Sequence, residues 1–211
     1  MTEGEAQAWL RDVLNVSRET IERLDALRQI ILAEAQHQNL ISAATVDHFW
    51  ARHIVDSAQL IRFVADAKPG AWLDLGTGAG FPGLVVAILS PGPMVLVESR
   101  RKRFEFLAQT AEALALSHVT VHGGRLENFA TRIVSVISAR AFAPLPKLLN
   151  AAVRFSRNET VWLLPRGRGA RDELALTEQL WQGVFHVEPS VSDTESGIIV
   201  ARGVKRQKEA R

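Results

Sequence analysis

Along the first third of the chain, apolar residues recur at helical spacing. Leu10, Val13 and Leu14 mark one helix, and Ile21, Leu24, Leu27, Ile30 and Ile31 mark a second. Ser17 predicts the N-cap of that second helix, with Glu19 and Glu22 near its positive end. A third helix is expected over residues 45–64. From Lys68-Pro69-Gly70 onward the pattern changes to short apolar runs alternating with amphipathic segments. Residues 71–75, 94–98, 119–122, 133–138 and 160–164 read as strands. Residues 82–90, 100–116, 145–155 and 172–180 read as helices. Residues 183–191 and 197–201 read as an antiparallel hairpin. Strands alternating with helices predict a parallel sheet covered on both faces. The divisions expected are a helical extension over 1–67, a core over 68–204 and a charged tail over 205–211 that frays.

With 211 residues, 47% hydrophobic and 23% charged, the chain can bury a substantial core. It contains no cysteine, which removes disulfides, thiolate metal sites and cysteine nucleophiles. Six histidines show no metal-ligand spacing, so no metal is expected. The N-terminus lacks a basic-then-apolar signal pattern, and the apolar stretch from Phe81 to Val97 is broken by Pro82, Pro91 and Pro93. A soluble cytoplasmic protein with no membrane association is therefore expected. The net charge is +2, but residues 139–211 hold 12 basic and 8 acidic side chains. That tilt is compatible with a phosphate-rich partner, and equally with a mixed solvated surface.

The most informative segment is Leu73-Asp74-Leu75-Gly76-Thr77-Gly78-Ala79-Gly80-Phe81-Pro82-Gly83. A glycine-rich turn between a buried strand and a helix lets a cofactor approach the backbone. Two cofactor classes use such a turn, because Gly78 to Gly83 also fits the G-x-G-x-x-G of nucleotide dehydrogenases. Register and charge favour S-adenosylmethionine. The glycines begin directly after the strand, two residues past Asp74, whose carboxylate can face an amino and sulfonium group but would repel a pyrophosphate. Pro82 also removes an N–H from the helix start, where a pyrophosphate needs donors. Glu98, at the end of the second strand, can accept hydrogen bonds from ribose hydroxyls in either class. The expected fold is a Rossmann-like class I methyltransferase. It has a mostly parallel seven-stranded sheet with helices on both faces, a C-terminal antiparallel hairpin and an N-terminal helical extension.

The chain also resembles one family over nearly its whole length. Asn39-Leu40-Ile41-Ser42, Arg52-His53-Ile54-Val55-Asp56-Ser57, the turn ending Phe81-Pro82-Gly83, Arg125-Leu126-Glu127-Asn128-Phe129 and Ser138-Ala139-Arg140-Ala141-Phe142-Ala143 are similar to ribosomal RNA small subunit methyltransferase G, also called glucose-inhibited division protein B. That resemblance implies methylation of a guanine N7 in 16S rRNA, with the rRNA or small ribosomal subunit as partner and no obligate protein partner. It also implies cofactor contacts at Gly76, Phe81, Leu126, Glu127 and Arg140, to which the turn adds Asp74, Gly78 and Glu98. Phe81 and Leu126 would offer apolar surface to the cofactor, and Glu127 the adenine edge. Where many members carry lysine-glycine after the fifth strand, this chain has Pro165-Arg166-Gly167, whose arginine is a planar fork and not a point charge.

Guanine N7 carries a lone pair and no proton, so its methylation needs no general base. Arg140 is expected to position the reactants, with Phe142 as a stacking surface for the base or else a core residue. Arg166, Arg168 and Arg171 are the preferred RNA contacts. Arg100 to Arg103, Arg154 and Arg157 read as readily as helix-surface charge. His53 and Asp56, three apart beside Arg52, either cover the cofactor pocket, touch RNA or dock a helix. A methyltransferase for another RNA site or a small molecule, and an NAD-dependent oxidoreductase, are the alternatives.

Overall fold

The computed structural model describes residues 1–207. Helix α1 (Glu3–Leu14) opens with a capping box. The Thr2 hydroxyl accepts from the Glu5 N–H at 3.2 Å, and the Glu5 carboxylate accepts from the Thr2 N–H at 2.8 Å. Helix α2 (Arg18–Glu34) starts, as its sequence suggests, at Ser17, which accepts from the Thr20 N–H.

The single helix expected over 45–64 is instead a helical stretch of changing pitch. A 3-10 segment (Ala43–His48) leads to a π-helical segment (Trp50–Val55), one α-turn, α3 (Asp56–Ala58), and a 3-10 segment (Gln59–Phe63). Packing explains the widened middle. Trp50, Ala51, His53, Ile54 and Val55 are all buried, a wider burial arc than one α-helical stripe provides.

The core is a seven-stranded sheet in the order β3-β2-β1-β4-β5-β7-β6. Its strands are β1 (Trp72–Leu75), β2 (Met94–Glu98), β3 (Val119–Gly123), β4 (Val136–Ala139), β5 (Val161–Arg166), β6 (Trp181–Pro189) and β7 (Gly197–Arg206). The first five strands run parallel, and β7 pairs antiparallel with both β5 and β6. Helices α4 (Gly83–Leu89), α5 (Arg101–Ala113), α6 (Leu145–Ala152) and α7 (Ala170–Thr177) make the connections. The period of two along each strand sorts side chains into two apolar layers. Trp72, Leu96, Leu163 and Val200 face α4, α5 and the N-terminal helices. Leu73, Val95, Val97, Trp162, Leu164 and Ile199 face α6 and α7. Residues 1–67 therefore share one continuous apolar layer with α4 and α5.

Several boundaries differ from the sequence reading. Strand β4 begins at Val136, because Ile133 is exposed while Val136 to Ala139 are buried. Strand β5 runs on through Pro165 and Arg166, which pair with Ile198 and Gly197 of β7. Helix α7 starts at Ala170 and ends at Thr177, leaving Leu180 on the surface. The first residues of the tail expected to fray are paired. Lys205 and Arg206 continue β7 opposite Gln182 and Trp181, and the buried Trp181 indole anchors that end of the ladder. Residues 208–211 of the expected tail lie outside the described residues.

Strand order reverses between β1 and β4, and in open α/β sheets the crevice beyond the strands' C-terminal ends at that point receives ligands.

Candidate functional site

The loop between β1 and α4 is built around Asp74. This side chain is completely buried and faces the same sheet side as Trp72. The Trp72 indole donates to Ser138 Oγ at 2.8 Å, and Ser138 Oγ donates to Asp74 Oδ1 at 2.6 Å. Asp74 Oδ2 accepts from Thr77 Oγ1 and from the Gly83 N–H. Burial pushes the carboxyl up to about 6, against the pull of hydrogen bonds from Ser138, Thr77 and Gly83 and of the Arg140 charge. Where the sequence suggests a carboxylate facing the cofactor's cationic end, the structure has one hydrogen-bonded inside the loop. Its oxygens are spent on folding the glycine loop, and none of its surface reaches a cleft.

What the loop frames is a cavity of about 410 Å³ at the ends of β1, β2 and β3, lined by Gly76, Glu98, Arg103, Leu126, Glu127 and Phe142, among others. Its size suits a nucleoside-sized ligand. Gly76 has φ +63°, and a Cβ there would stand 2.5 Å from the Phe142 ring. Gly78, at φ +61°, turns its N–H onto Glu98 Oε2 at 3.1 Å. Glu98 Oε1 accepts from the Arg100 N–H at 2.8 Å, so two backbone donors fix the carboxylate at the cavity wall. Leu126 is buried and Glu127 is exposed at the rim.

A second cavity, of about 290 Å³, opens beyond the ends of β4 and β5. Arg52, His53, Asp56, Arg140, Arg166 and Ser196 are among its lining residues. Ala141 lines both cavities. Its φ of +52° turns the chain sharply, so Arg140 lines the second cavity while Phe142 lies against Gly76 in the first. Arg140 is held on every side. Its Nη1 donates to the Arg52 carbonyl and to Asp56 Oδ2 at 3.1 and 3.2 Å, and its guanidinium lies 4.9 Å over the Phe81 ring.

Arg140 Nη2 also sits 3.3 Å from His53 Nδ1. Arginine can only donate, so Nδ1 must accept and the imidazole proton must be on Nε2. Nε2 then donates to Thr45 Oγ1 at 2.9 Å, and that hydroxyl donates onward to the Ser42 carbonyl at 2.7 Å. Burial, with the charges of Arg140 and Arg52, drives the His53 pKa down to about 3, so the ring is neutral at physiological pH. Asp56 Oδ1 accepts from Ser192 Oγ and Gln59 Nε2, and Arg52 pairs with Asp193 at 2.6 Å. Both tie the β6–β7 connection to the N-terminal stretch.

Phe81, Arg166 and Arg168 each have defined partners within the fold. Phe81 is buried, stacked on His53 at 4.7 Å and edge-on to Phe49. Its part is to carry Arg140. Arg166 is engaged within the fold. Its side chain is only 9% exposed, paired with Glu173 at 3.1 Å and donating to the Ala143 carbonyl. Arg168 is exposed but ion-paired with Glu195, whereas exposed Arg171 has no ion-pair partner among the described residues. Gln59, Ser190 and Ser192, and the partners of Ser138, escaped the sequence reading, since small polar residues inside apolar runs carry no signature of their partners. Among the described residues no cluster of His, Cys, Asp and Glu could hold a metal, and no helix is long and apolar enough to cross a membrane.

Comparison with known proteins adds an independent line. A family model described as rRNA small subunit methyltransferase G matches residues 20–198. The Zymomonas mobilis protein named ribosomal RNA small subunit methyltransferase G is 52% identical, with 99% of this chain and 97% of that protein covered. The Erythrobacter litoralis protein of the same name is 48% identical, covering 96% and 97%. Among solved structures, an O-methyltransferase from Bacillus cereus in complex with SAH matches with a TM-score of 0.60 and 16% identity, over 92% of this chain and 96% of that one. A putative O-methyltransferase from Klebsiella pneumoniae matches at 0.59 and 14% identity, over 93% and 95%. At those identities the structural likeness concerns the fold.

Proposed function

The chain belongs to the rRNA small subunit methyltransferase G family, and on that premise we propose that it transfers the methyl group of S-adenosylmethionine to N7 of a guanine in 16S rRNA. The observation that carries this reading is the pair of cavities meeting at Ala141, one shaped for an adenosyl ligand and the other beside Arg140.

The residues of the first cavity fit the cofactor. Glu98 is placed to accept from ribose hydroxyls, Leu126 gives the adenine an apolar face, Glu127 lies at its edge, and Gly76 and Gly78 leave the backbone bare for the methionyl arm. Bound there, S-adenosylmethionine supplies an electrophilic methyl group. The chain's own contribution is positioning and electrostatics. Guanine N7 needs no deprotonation, and the second cavity offers none of the usual bases in an active state. His53 is neutral, but its one free lone pair accepts from Arg140. Asp56 is engaged by Arg140, Gln59 and Ser192. Arg140 is held rigid by four partners and orders the wall against which the base is aligned. Phe142 stacks on the base or closes the cofactor cavity against water. Arg168 and Arg171 contact the RNA backbone, with Arg168 exchanging Glu195 for a phosphate at small cost because that ion pair is exposed. Such a substrate places the protein in the cytoplasm, with the small ribosomal subunit or its rRNA as partner.

The test is transfer of labelled methyl from S-adenosylmethionine to small ribosomal subunits from cells lacking this protein, followed by mapping of the label. Label on a guanine N7 in 16S rRNA, lost with Arg140→Ala, is the expected result. Folded, cofactor-binding protein that labels no 16S guanine would overturn the proposed substrate.

A further inference from the structure

One basic side chain in the cofactor cavity is only partly accounted for by its contacts within the fold. Arg103, in the first turn of α5, is half-buried beside the glycine loop. Its Nη2 donates to the Asn39 carbonyl at 2.7 Å, and its Nη1 lies 3.8 Å from where a Cβ on Gly78 would stand. Among the described residues, no carboxylate comes within ion-pair distance of it. The two other arginines of the cavity, Arg100 and Arg125, are exposed, and Arg100 holds Glu98 through its backbone N–H. Arginine stays charged at every working pH, so Arg103 keeps an uncompensated positive charge over the backbone of Gly78.

We propose that Arg103 binds the α-carboxylate of the cofactor's methionyl arm, an inference that rests on the methyltransferase reading above. The cofactor carries one anionic group, and the cavity already contains two carboxylates, Glu98 and Glu127. A third carboxylate entering that space is disfavoured unless a cation accompanies it. Glu98 accepts from the Gly78 N–H, and the Arg103 guanidinium stands over the same residue, so a ligand whose ribose meets Glu98 has the cation within reach of its arm. The Asn39 carbonyl holds the fork in place before a ligand arrives, which lowers the ordering cost of binding. It also gives Asn39 a role through its backbone: the carbonyl orients a cofactor contact.

The test compares two ligands on two proteins by isothermal titration. S-adenosylhomocysteine carries the amino-acid arm, and methylthioadenosine lacks it. Arg103→Met should weaken S-adenosylhomocysteine by about 10- to 100-fold, the range of a charge-assisted hydrogen bond. It should leave methylthioadenosine affinity unchanged. Arg103→Lys, which keeps the charge but not the fork, should recover part of the loss. Equal losses for both ligands would overturn the assignment, since Arg103 would then act only by fastening Asn39. No loss for either ligand, with weakened binding of a 16S rRNA fragment, would overturn it in favour of a phosphate contact. Wild-type protein that bound neither ligand would overturn the methyltransferase reading itself, a result distinct from any pattern in the variants.

Discussion

Replacing Asp74 with asparagine removes a titrating group from the centre of the glycine loop while keeping its volume and an acceptor for Thr77 and Gly83. Burial lifts this carboxyl from its ordinary 3.8 to about 6, so the folded protein binds the proton more readily than the unfolded chain does. The sign follows from linkage. Stability tied to this group is fully present below the unfolded value and is lost as pH rises through the folded one. A displacement of roughly two pK units corresponds to about 3 kcal/mol across that window. Urea unfolding of the wild type and Asp74→Asn, at steps from about pH 4 to about pH 7, measures it. The difference between the two proteins at each pH cancels the distant titrating groups they share. Any mismatch between the new amide and Ser138 adds only a constant. Wild-type stability relative to the variant should fall by about 3 kcal/mol up to about pH 6 and level off above it. A difference flat in pH, or one that rises, would refute the reasoning. Asp74 would then be an ordinary ionised carboxylate whose three donors outweigh its burial.

His53 should give the opposite slope in an overlapping window. Its folded pKa lies near 3, below its ordinary 6.5, so its stabilising contribution is present above 6.5 and lost as pH falls toward 3. In the same unfolding series, His53→Gln should lose that acid-side decline, and a variant that kept it would locate the effect elsewhere. Gly76→Ala puts a methyl group 2.5 Å from Phe142 at a left-handed backbone position, and should cost about 1–3 kcal/mol of stability by thermal unfolding. Its S-adenosylhomocysteine affinity, followed by calorimetry, should fall as well, because Phe142 must shift within the cavity. Arg171→Ala should weaken binding to a 16S rRNA fragment and lower the salt slope by about one phosphate contact, with cofactor affinity spared. Arg166→Met, in contrast, should show its main effect in unfolding, at about 1–3 kcal/mol, because it leaves Glu173 without its partner. Equal loss of RNA and cofactor affinity in Arg171→Ala would sink the division between the two arginines.

The fold was legible where side-chain direction repeats. Alternating strands and helices, the glycine turn and the closing hairpin all follow from periodicity and turn chemistry, and the structure agrees on each. The burial of the acid before the turn has its clue in the sequence. Asp74 sits between Leu73 and Leu75, which share one face of a strand, so the period of two sends it to the face occupied by Trp72. A residue there lies inside the layer, not at the mouth of the sheet, and register brings Ser138 directly opposite. The burial of Arg166 has no such local clue. Its burial depends on β5 continuing past Pro165 to pair with β7, and no local signal announces how far a strand is paired. The π-helical turn at Trp50–Val55 was equally silent, because its pitch answers to packing against a core that only the tertiary fold assembles.

At the site, hydrogen bonds join the N-terminal segment to the sheet. Arg140 directly follows the C-terminal end of β4, yet its donors end on Asp56, His53 and the Arg52 carbonyl, all N-terminal to residue 67. On the cofactor side the dependence recurs, with Arg103 of α5 oriented by the Asn39 carbonyl. From the other end of the chain, Ser192 and Asp193 reach the same N-terminal stretch through Asp56 and Arg52. A sheet without residues 39–56 would retain Glu98 and the glycine loop but lose the acceptors that aim both arginines. An unaimed arginine samples many rotamers and contributes charge without geometry. On the proposed base-free mechanism, where rate comes from alignment, the N-terminal stretch belongs to the catalytic unit as much as the glycine loop does.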